Sequence, residues 1–262
     1  HPDLSGKCVT GYDFVNRDND PSDDHGHGTH VAGICAAATN NSIGIAAVGW
    51  LARVMPVKAL DSTGNGSHSA ISSAVVWAAD NDADIVNMSL GGFFTSNTLR
   101  TAVEYAIGQG VVVVAAAGNE GSSNPSYPAA YPNVIAVTAT TQSDTRASFS
   151  NYGSHVDVAA PGAAIMSTVR SGGYQAWSGT SMASPVVAGI AALLIAQDAT
   201  RTPGTIEDIL ERTADDLGTP GFDQYFGWGR VTAGRDLAYD PSGIGVPTST
   251  WTPTLPPPTV AA

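Results

Sequence analysis

The run Val111-Val112-Val113-Val114-Ala115-Ala116-Ala117, which stops at Gly118-Asn119, restricts the fold of this chain more than any other feature. Consecutive β-branched valines disfavour a helix, and a strand with no polar alternation must be buried on both faces. Such strands occur where helices cover both sides of a parallel sheet. Residues 53–59, 84–90 and 134–139 are similar apolar runs, and small-residue stretches at 69–81, 98–108 and 181–196 carry helical spacing between and after them. The alternation predicts an α/β fold with a mostly parallel central sheet and helices on both faces. A chain of 262 residues is long enough to close one such domain.

Composition removes several function classes. Eleven Lys plus Arg against 23 Asp plus Glu gives a formal charge of -12, so the field around the molecule repels phosphate backbones and anionic lipid, and no nucleic-acid partner is expected. Unbroken apolar runs such as 111–117 and 190–196 fall short of the ~18–20 residues that cross a bilayer, so no membrane span is expected. Cys8 and Cys35 are too few for a disulfide scaffold, and a bond between them or two buried free thiols are equally compatible with their positions. The last 22 residues hold six prolines and five threonines, including Pro256-Pro257-Pro258. They read as an extended linker or tail, which divides the chain into a domain at 1–239 and a tail at 240–262.

Chemistry concentrates in three remote segments. His25-Gly26-His27-Gly28-Thr29-His30-Val31-Ala32-Gly33 reads as a loop entering a helix that buries one imidazole and presents another. Core histidines and a zinc site are the competing readings, and no HExxH pattern or cysteine pair accompanies the cluster. Trp177-Ser178-Gly179-Thr180-Ser181-Met182-Ala183-Ser184-Pro185 brings Ser181 to a helix N-terminus, where free N–H groups suit an oxyanion, although serine is also a common N-cap. Asn119 follows the valine strand; it is either a turn residue or a neutral amide donor at the sheet edge where α/β folds hold ligands.

Together these segments resemble the subtilisin-like serine endopeptidases, the subtilases, and the stretch 11–46 is similar to the thermitase-like branch of that family. The resemblance implies a subtilisin-like α/β fold with His27 as general base, Ser181 as nucleophile, and Asn119 with the Ser181 backbone N–H as oxyanion hole; His30 is structural by the same match. It implies polypeptide substrates held along Ser89-Leu90-Gly91 and Gly64-Asn65-Gly66, with Ala116, Gly118 and Leu90 lining an apolar pocket and Glu120 at its rim. It also implies structural calcium, at Asp13, Asp18 and Asp20 and at Asp3 with the Asn41 side chain and the carbonyls of Ile43 and Ile45. Solvated acidic loops are the alternative. A weaker cation at Asp157, near a cis-proline loop at Tyr127-Pro128, is a further expectation, and Trp177, Tyr225 and Trp228 read as packing residues.

The sequence departs from the family pattern at its start. The family's Asp-Ser/Thr-Gly strand end precedes a His-Pro-Asp-Leu motif, and this sequence begins at His1-Pro2-Asp3-Leu4. Asp13, Asp18 and Asp23 stand in the wrong motif to replace that aspartate. The expectation is therefore a domain incomplete at its N-terminus, lacking the strand that carries the acid, and nearly inactive alone. A secreted monomeric endopeptidase with an upstream propeptide is expected; a catalytically dead peptide-binding subtilase is the alternative, and a metal hydrolase using the His25, His27 and His30 cluster is a weaker one.

Overall fold

The computed structural model describes residues 1–239 and 256–262. In chain order the elements are β1 (Tyr12–Asp13), α1 (His27–Ala36), β2 (Arg53–Met55), β3 (Val57–Lys58), α2 (His68–Asp80), β4 (Ile85–Met88), α3 (Asn97–Gly108) and β5 (Val112–Ala116). They continue with β6 (Ile135–Thr140), β7 (Val158–Pro161), β8 (Ile165–Thr168), β9 (Tyr174–Trp177), α4 (Thr180–Gln197), α5 (Pro203–Thr213), α6 (Ala233–Ala238) and β10 (Thr259–Ala261). The central sheet has the order β2-β10-β4-β5-β6-β7 and is parallel throughout, as the apolar runs require. Pro56, which cannot donate to a ladder, divides the expected strand 53–59 into β2 and β3, and β3 pairs with β1 in a separate ribbon.

Alternation along the buried strands fills two cores. Val112 and Val114 face one cluster with Ala183, Val187 and Leu194 of α4; Val113 and Ala115 face the other with Val75 of α2 and Val103 of α3. Ser67 and Ser96 cap α2 and α3 by accepting from Ala70 N–H and Leu99 N–H. The 18-residue α4, of mean hydropathy 1.6, is long and apolar enough to cross a membrane by length and composition, which the shorter unbroken run within it did not suggest. Two thirds of it, 67%, is buried inside this domain, the signature of a core helix.

The tail corrects the reading of 240–262 as wholly outside the core. Residues 240–255 of that stretch lie outside the described residues, but Thr259–Ala261 form β10 inside the central sheet, with Val260 fully buried. The average composition hid a short β-prone run, and the prolines precede the strand rather than interrupt it. The position between β2 and β4 is thus held by the C-terminal residues. Both cysteines are free, Cys35 buried and Cys8 exposed rather than buried; burial pushes the Cys35 thiol up to about 12.

Leu194→Ala removes a fully buried side chain from α4, so it is expected to cost ~2–5 kcal/mol in denaturant unfolding. Phe94→Ala, at a position 81% exposed, is expected to change stability by less than about 0.5 kcal/mol.

Candidate active site

Gly118 turns the chain at the end of β5 with φ of +107°, and a Cβ there would lie 2.3 Å from Asn151 Nδ2, so the turn requires glycine. It delivers Asn119 to the N-terminus of α4. There the Thr180 N–H and hydroxyl both donate to Asn119 Oδ1, at 2.8 and 3.0 Å, and Gly118 N–H donates to the Thr180 hydroxyl at 3.1 Å. With Oδ1 taken, the Asn119 NH₂ faces away from α4's first N–H and is free to donate. The Ser181 N–H, in the first helical turn, has no acceptor among the described residues. A Cβ built on Gly179 would be 3.6 Å from both Asn119 Oδ1 and Ser181 N, so these groups share one side of the turn. Ser181 is tied to the end of β4: its hydroxyl donates to Ser89 C=O at 3.3 Å and Ser89 Oγ donates to Ser181 C=O at 2.9 Å.

His27 opens α1. Its N-cap, Gly26, has no side chain, and Asp23 supplies the cap instead, accepting from His25 N–H, Gly26 N–H, Thr29 N–H and the Thr29 hydroxyl at 2.6–3.0 Å. Asp23 is therefore committed to the backbone. Val31 and Ile34 of α1 pack with Met182 of α4, so α1 lies against the first turn of the helix that carries Ser181. Burial pushes the His27 imidazole below its usual range; the charges of His25 and His30 act the same way, and Asp23 opposes them. The ring has no hydrogen-bond partner among the described residues. His30 points instead into the core, stacked on Trp177 at 4.4 Å with Nε2 3.0 Å from Gln175 C=O.

A cavity of about 1070 Å³ runs beside His27. Ser89, Leu90 and Gly91 form one wall; Gly64, Asn65 and Gly66 form another, their turn held by Asp61, whose carboxylate accepts from Thr63 N–H and Asn65 N–H at 2.8 and 3.1 Å. Ala116 and Gly118 do not line this cavity; they lie beneath Asn119 at the end of β5. Glu120 is pinned rather than free, accepting from Asn151 Nδ2 at 2.7 Å and from Asn119 N–H at 3.0 Å. Trp177 packs as expected, whereas Tyr225 and Trp228 are exposed, leaning on Tyr152 and Phe222.

A profile of the Subtilase family matches residues 1–229. The chain belongs to the subtilase family. It is 52% identical over 239 residues to a thermophilic serine proteinase of Bacillus sp. strain AK1, covering 91% of this chain and 59% of that relative's length. It is 48% identical over 239 residues to thermitase of Thermoactinomyces vulgaris, covering 91% of this chain and 84% of that protein. A protease structure from Pseudoalteromonas arctica PAMC 21717 superposes with a TM-score of 0.85 at 35% identity, covering 91% of this chain and 86% of the other. A cold-adapted subtilisin-like serine proteinase gives 0.77 at 42% identity, covering 82% and 78%. The fold and the serine-protease type of architecture are those of this family.

The expected cation residues of this subtilase separate into two groups. Asp3 is fully buried and accepts from Asn41 Nδ2 at 2.7 Å, Ile45 N–H at 3.0 Å and the Tyr174 hydroxyl at 3.0 Å. Burial raises its carboxyl, but these bonds outweigh burial and hold it below the ordinary range. Asp3, Asn41 and Ile45 are brought together, while Ile43 sits half-exposed at the loop tip. Asp13 and Asp18 pair through their backbones, but the carboxylate oxygens of Asp13, Asp18 and Asp20 do not come together. Asp13 turns inward to Lys58 Nζ at 3.1 Å and to the N–H groups of Val15 and Asn16, and Asp18 and Asp20 accept from their own loop. A lysine neutralises the first carboxylate, so these three fit a cation poorly as they stand.

Asp157, where a further cation was expected, stands in a third acidic group whose two glutamates sequence reasoning missed. Asp157, Glu207 and Glu211 each bring one oxygen within 4.8 Å of the others; the two glutamates are four apart on α5, so their spacing was the available signal. Burial, then neighbouring carboxylates, pushes Asp157 and Glu211 each up to about 7. Ordinary carboxyls titrate near ~4. The folded state therefore holds protons that the unfolded state releases, and stability is expected to fall as pH rises from about 4 to about 7. Glu211→Gln is expected to flatten that slope in denaturant midpoints measured between pH 4 and 8; an unchanged slope would contradict it.

Proposed function

We propose that this site hydrolyses peptide bonds as a serine endopeptidase. The observation that carries the reading is the clamp of Thr180 on Asn119, which leaves an amide NH₂ and the Ser181 N–H as two prepositioned donors beside one hydroxyl. A serine hydroxyl needs a base near neutrality, and the neutral His27 imidazole is suited to take its proton and return it to the leaving amine. The Ser181 oxygen attacks the scissile carbonyl, and the carbonyl oxygen, becoming negative, is received by Asn119 and Ser181 N–H. An extended polypeptide lies between the walls at residues 64–66 and 89–91, its main chain supplying affinity. Apolar residues near Leu90 favour cleavage after large uncharged side chains.

Calcium is proposed at Asp3, with Asn41 and the carbonyls of Ile43 and Ile45. A buried carboxylate with no cationic partner, wrapped by a loop rich in carbonyl oxygens, is a hard-cation donor set. The ion would stabilise the loop and take no part in the reaction. A secreted monomer made with a propeptide completes this reading.

One observation favours a second reading for the chain by itself. The His27 ring has no acceptor among the described residues to fix its tautomer, so this chain without a further carboxylate would act as a peptide-binding module of very low turnover.

Ser181→Ala is expected to abolish labelling by a fluorophosphonate, with labelling of the unaltered chain indifferent to chelator. Labelling that survives the substitution contradicts a serine nucleophile. Asn119→Leu is expected to lower kcat by about 10²–10³ with little change in KM, and Thr180→Val to lower it in the same direction by releasing the amide. Chelation is expected to lower the melting temperature of the unaltered chain, and to do so less in Asp3→Asn.

A further inference from the structure

Gly64-Asn65-Gly66 holds the one Asn-Gly step in the sequence; every other asparagine is followed by a residue with a side chain. Asn65 and Gly66 are both exposed, belong to no helix or strand, and form a wall of the cavity beside His27. The turn that carries them is fixed. Asp61 accepts from Thr63 N–H, the Thr63 hydroxyl and Asn65 N–H at 2.8, 2.6 and 3.1 Å, and its own N–H donates to Asn65 C=O at 2.8 Å. The Asn65 NH₂ donates to the Thr63 hydroxyl at 2.9 Å, so the side-chain amide is tied to its own turn.

Gly66 is held by packing and not by hydrogen bonds to its nitrogen. Its N–H has no acceptor among the described residues, whereas Ser67 on its far side caps α2, Oγ accepting from Ala70 N–H at 3.1 Å. A Cβ on Gly66 would lie 2.5 Å from Ala59 C=O and 2.6 Å from Leu60 Cδ2, so the wall requires glycine at this place. The same close approach that shapes the wall therefore leaves an unshielded backbone nitrogen one ring closure away from Asn65 Cγ.

We infer that Asn65 is a self-modification site: in the empty groove it converts to aspartate and isoaspartate, and a peptide lying in the groove suppresses the conversion. The Gly66 nitrogen bonds to Asn65 Cγ, the Cγ–Nδ2 bond breaks, and Nδ2 leaves as ammonia carrying the proton that Gly66 gave up, which closes a cyclic imide. Water then opens either imide carbonyl. The net change is water in and ammonia out, with nothing oxidised or reduced. A bound strand whose carbonyl accepts from Gly66 N–H occupies the attacking group. Conversion adds a negative charge to the wall, and the isoaspartate form also adds a methylene to the main chain, which shifts Gly66 out of register with a bound peptide. The modification itself is independent of the proposed hydrolysis; protection by a peptide, and its loss of affinity afterwards, rest on the groove of that reading.

The test incubates the full chain at mildly alkaline pH, as Ser181→Ala so that neither it nor its ligand is cut, and follows every asparagine by peptide mapping for ammonia loss and isoaspartate. Asn65 is expected to convert first, at a rate within about tenfold of the free peptide Ser-Thr-Gly-Asn-Gly-Ser, and Asn65→Ser to abolish the signal. Asn65 persisting in the folded chain while the free peptide converts, or while other asparagines convert, overturns the site. Acetyl-Ala-Ala-Ala-Phe amide at ~100 times its Kd is expected to slow the conversion by up to about a hundredfold. Saturable binding without slowing overturns the protection; no binding counts against the peptide groove of the hydrolase reading, and conversion at Asn65 then decides the site. Converted chain, separated by anion exchange on its added charge, is expected to bind that peptide at least about tenfold more weakly. The same conversion in chain that retains Ser181 is expected to leave the rate of fluorophosphonate labelling unchanged, which an unfolded chain would not. Equal peptide binding by converted and unconverted chain overturns the loss of affinity.

Discussion

The two hydrogen bonds from Thr180 to Asn119 join the long core helix α4 to the end of the fully buried strand β5, and the rest of the site is arranged around that joint. They fix which way the Asn119 amide points. They also depend on everything beneath them: β5 must stop at Ala116, Gly118 must adopt a conformation that only glycine takes easily, and α4 must begin at Thr180. An oxyanion site works by being in place before charge develops, so rigidity here is a requirement of the chemistry. Burial of α4 against both α1 and the sheet supplies that rigidity, and it is the reason so apolar a helix belongs to a core.

His27 reaches the same pole by a different route. Its helix has a bare glycine at the N-cap, and Asp23 closes the turn from outside by gathering four donors. That arrangement consumes the acidic group nearest in sequence to the imidazole. Burial lowers the imidazole's pKa, as the proposed role of base requires, and no group among the described residues orients the ring.

Most of the fold was legible because buried parallel strands announce themselves as unbroken apolar runs; 111–117, 84–90 and 134–139 correspond to β5, β4 and β6 to within about two residues. The site was legible because its two signature segments are long and its third ends a strand. What escaped notice had weaker local signals. β10 is three residues in a proline-rich stretch, too short to shift an average. The inward turn of Asp13 depends on Lys58, forty-five positions away and brought close only when β1 pairs with β3. The joining of Asp157, just before β7, to Glu207 and Glu211 of α5 links segments that no nearby motif connects.

The most direct measurement is a crystal structure of the chain with a peptide boronate bonded to Ser181. One boronate oxygen should lie about 2.7–3.1 Å from both Asn119 Nδ2 and the Ser181 backbone nitrogen, with the His27 ring against the serine oxygen and the peptide extended between residues 64–66 and 89–91. An adduct whose oxygens face solvent, or a boronate bonded elsewhere while Asn119 keeps its bonds to Thr180, would contradict the account.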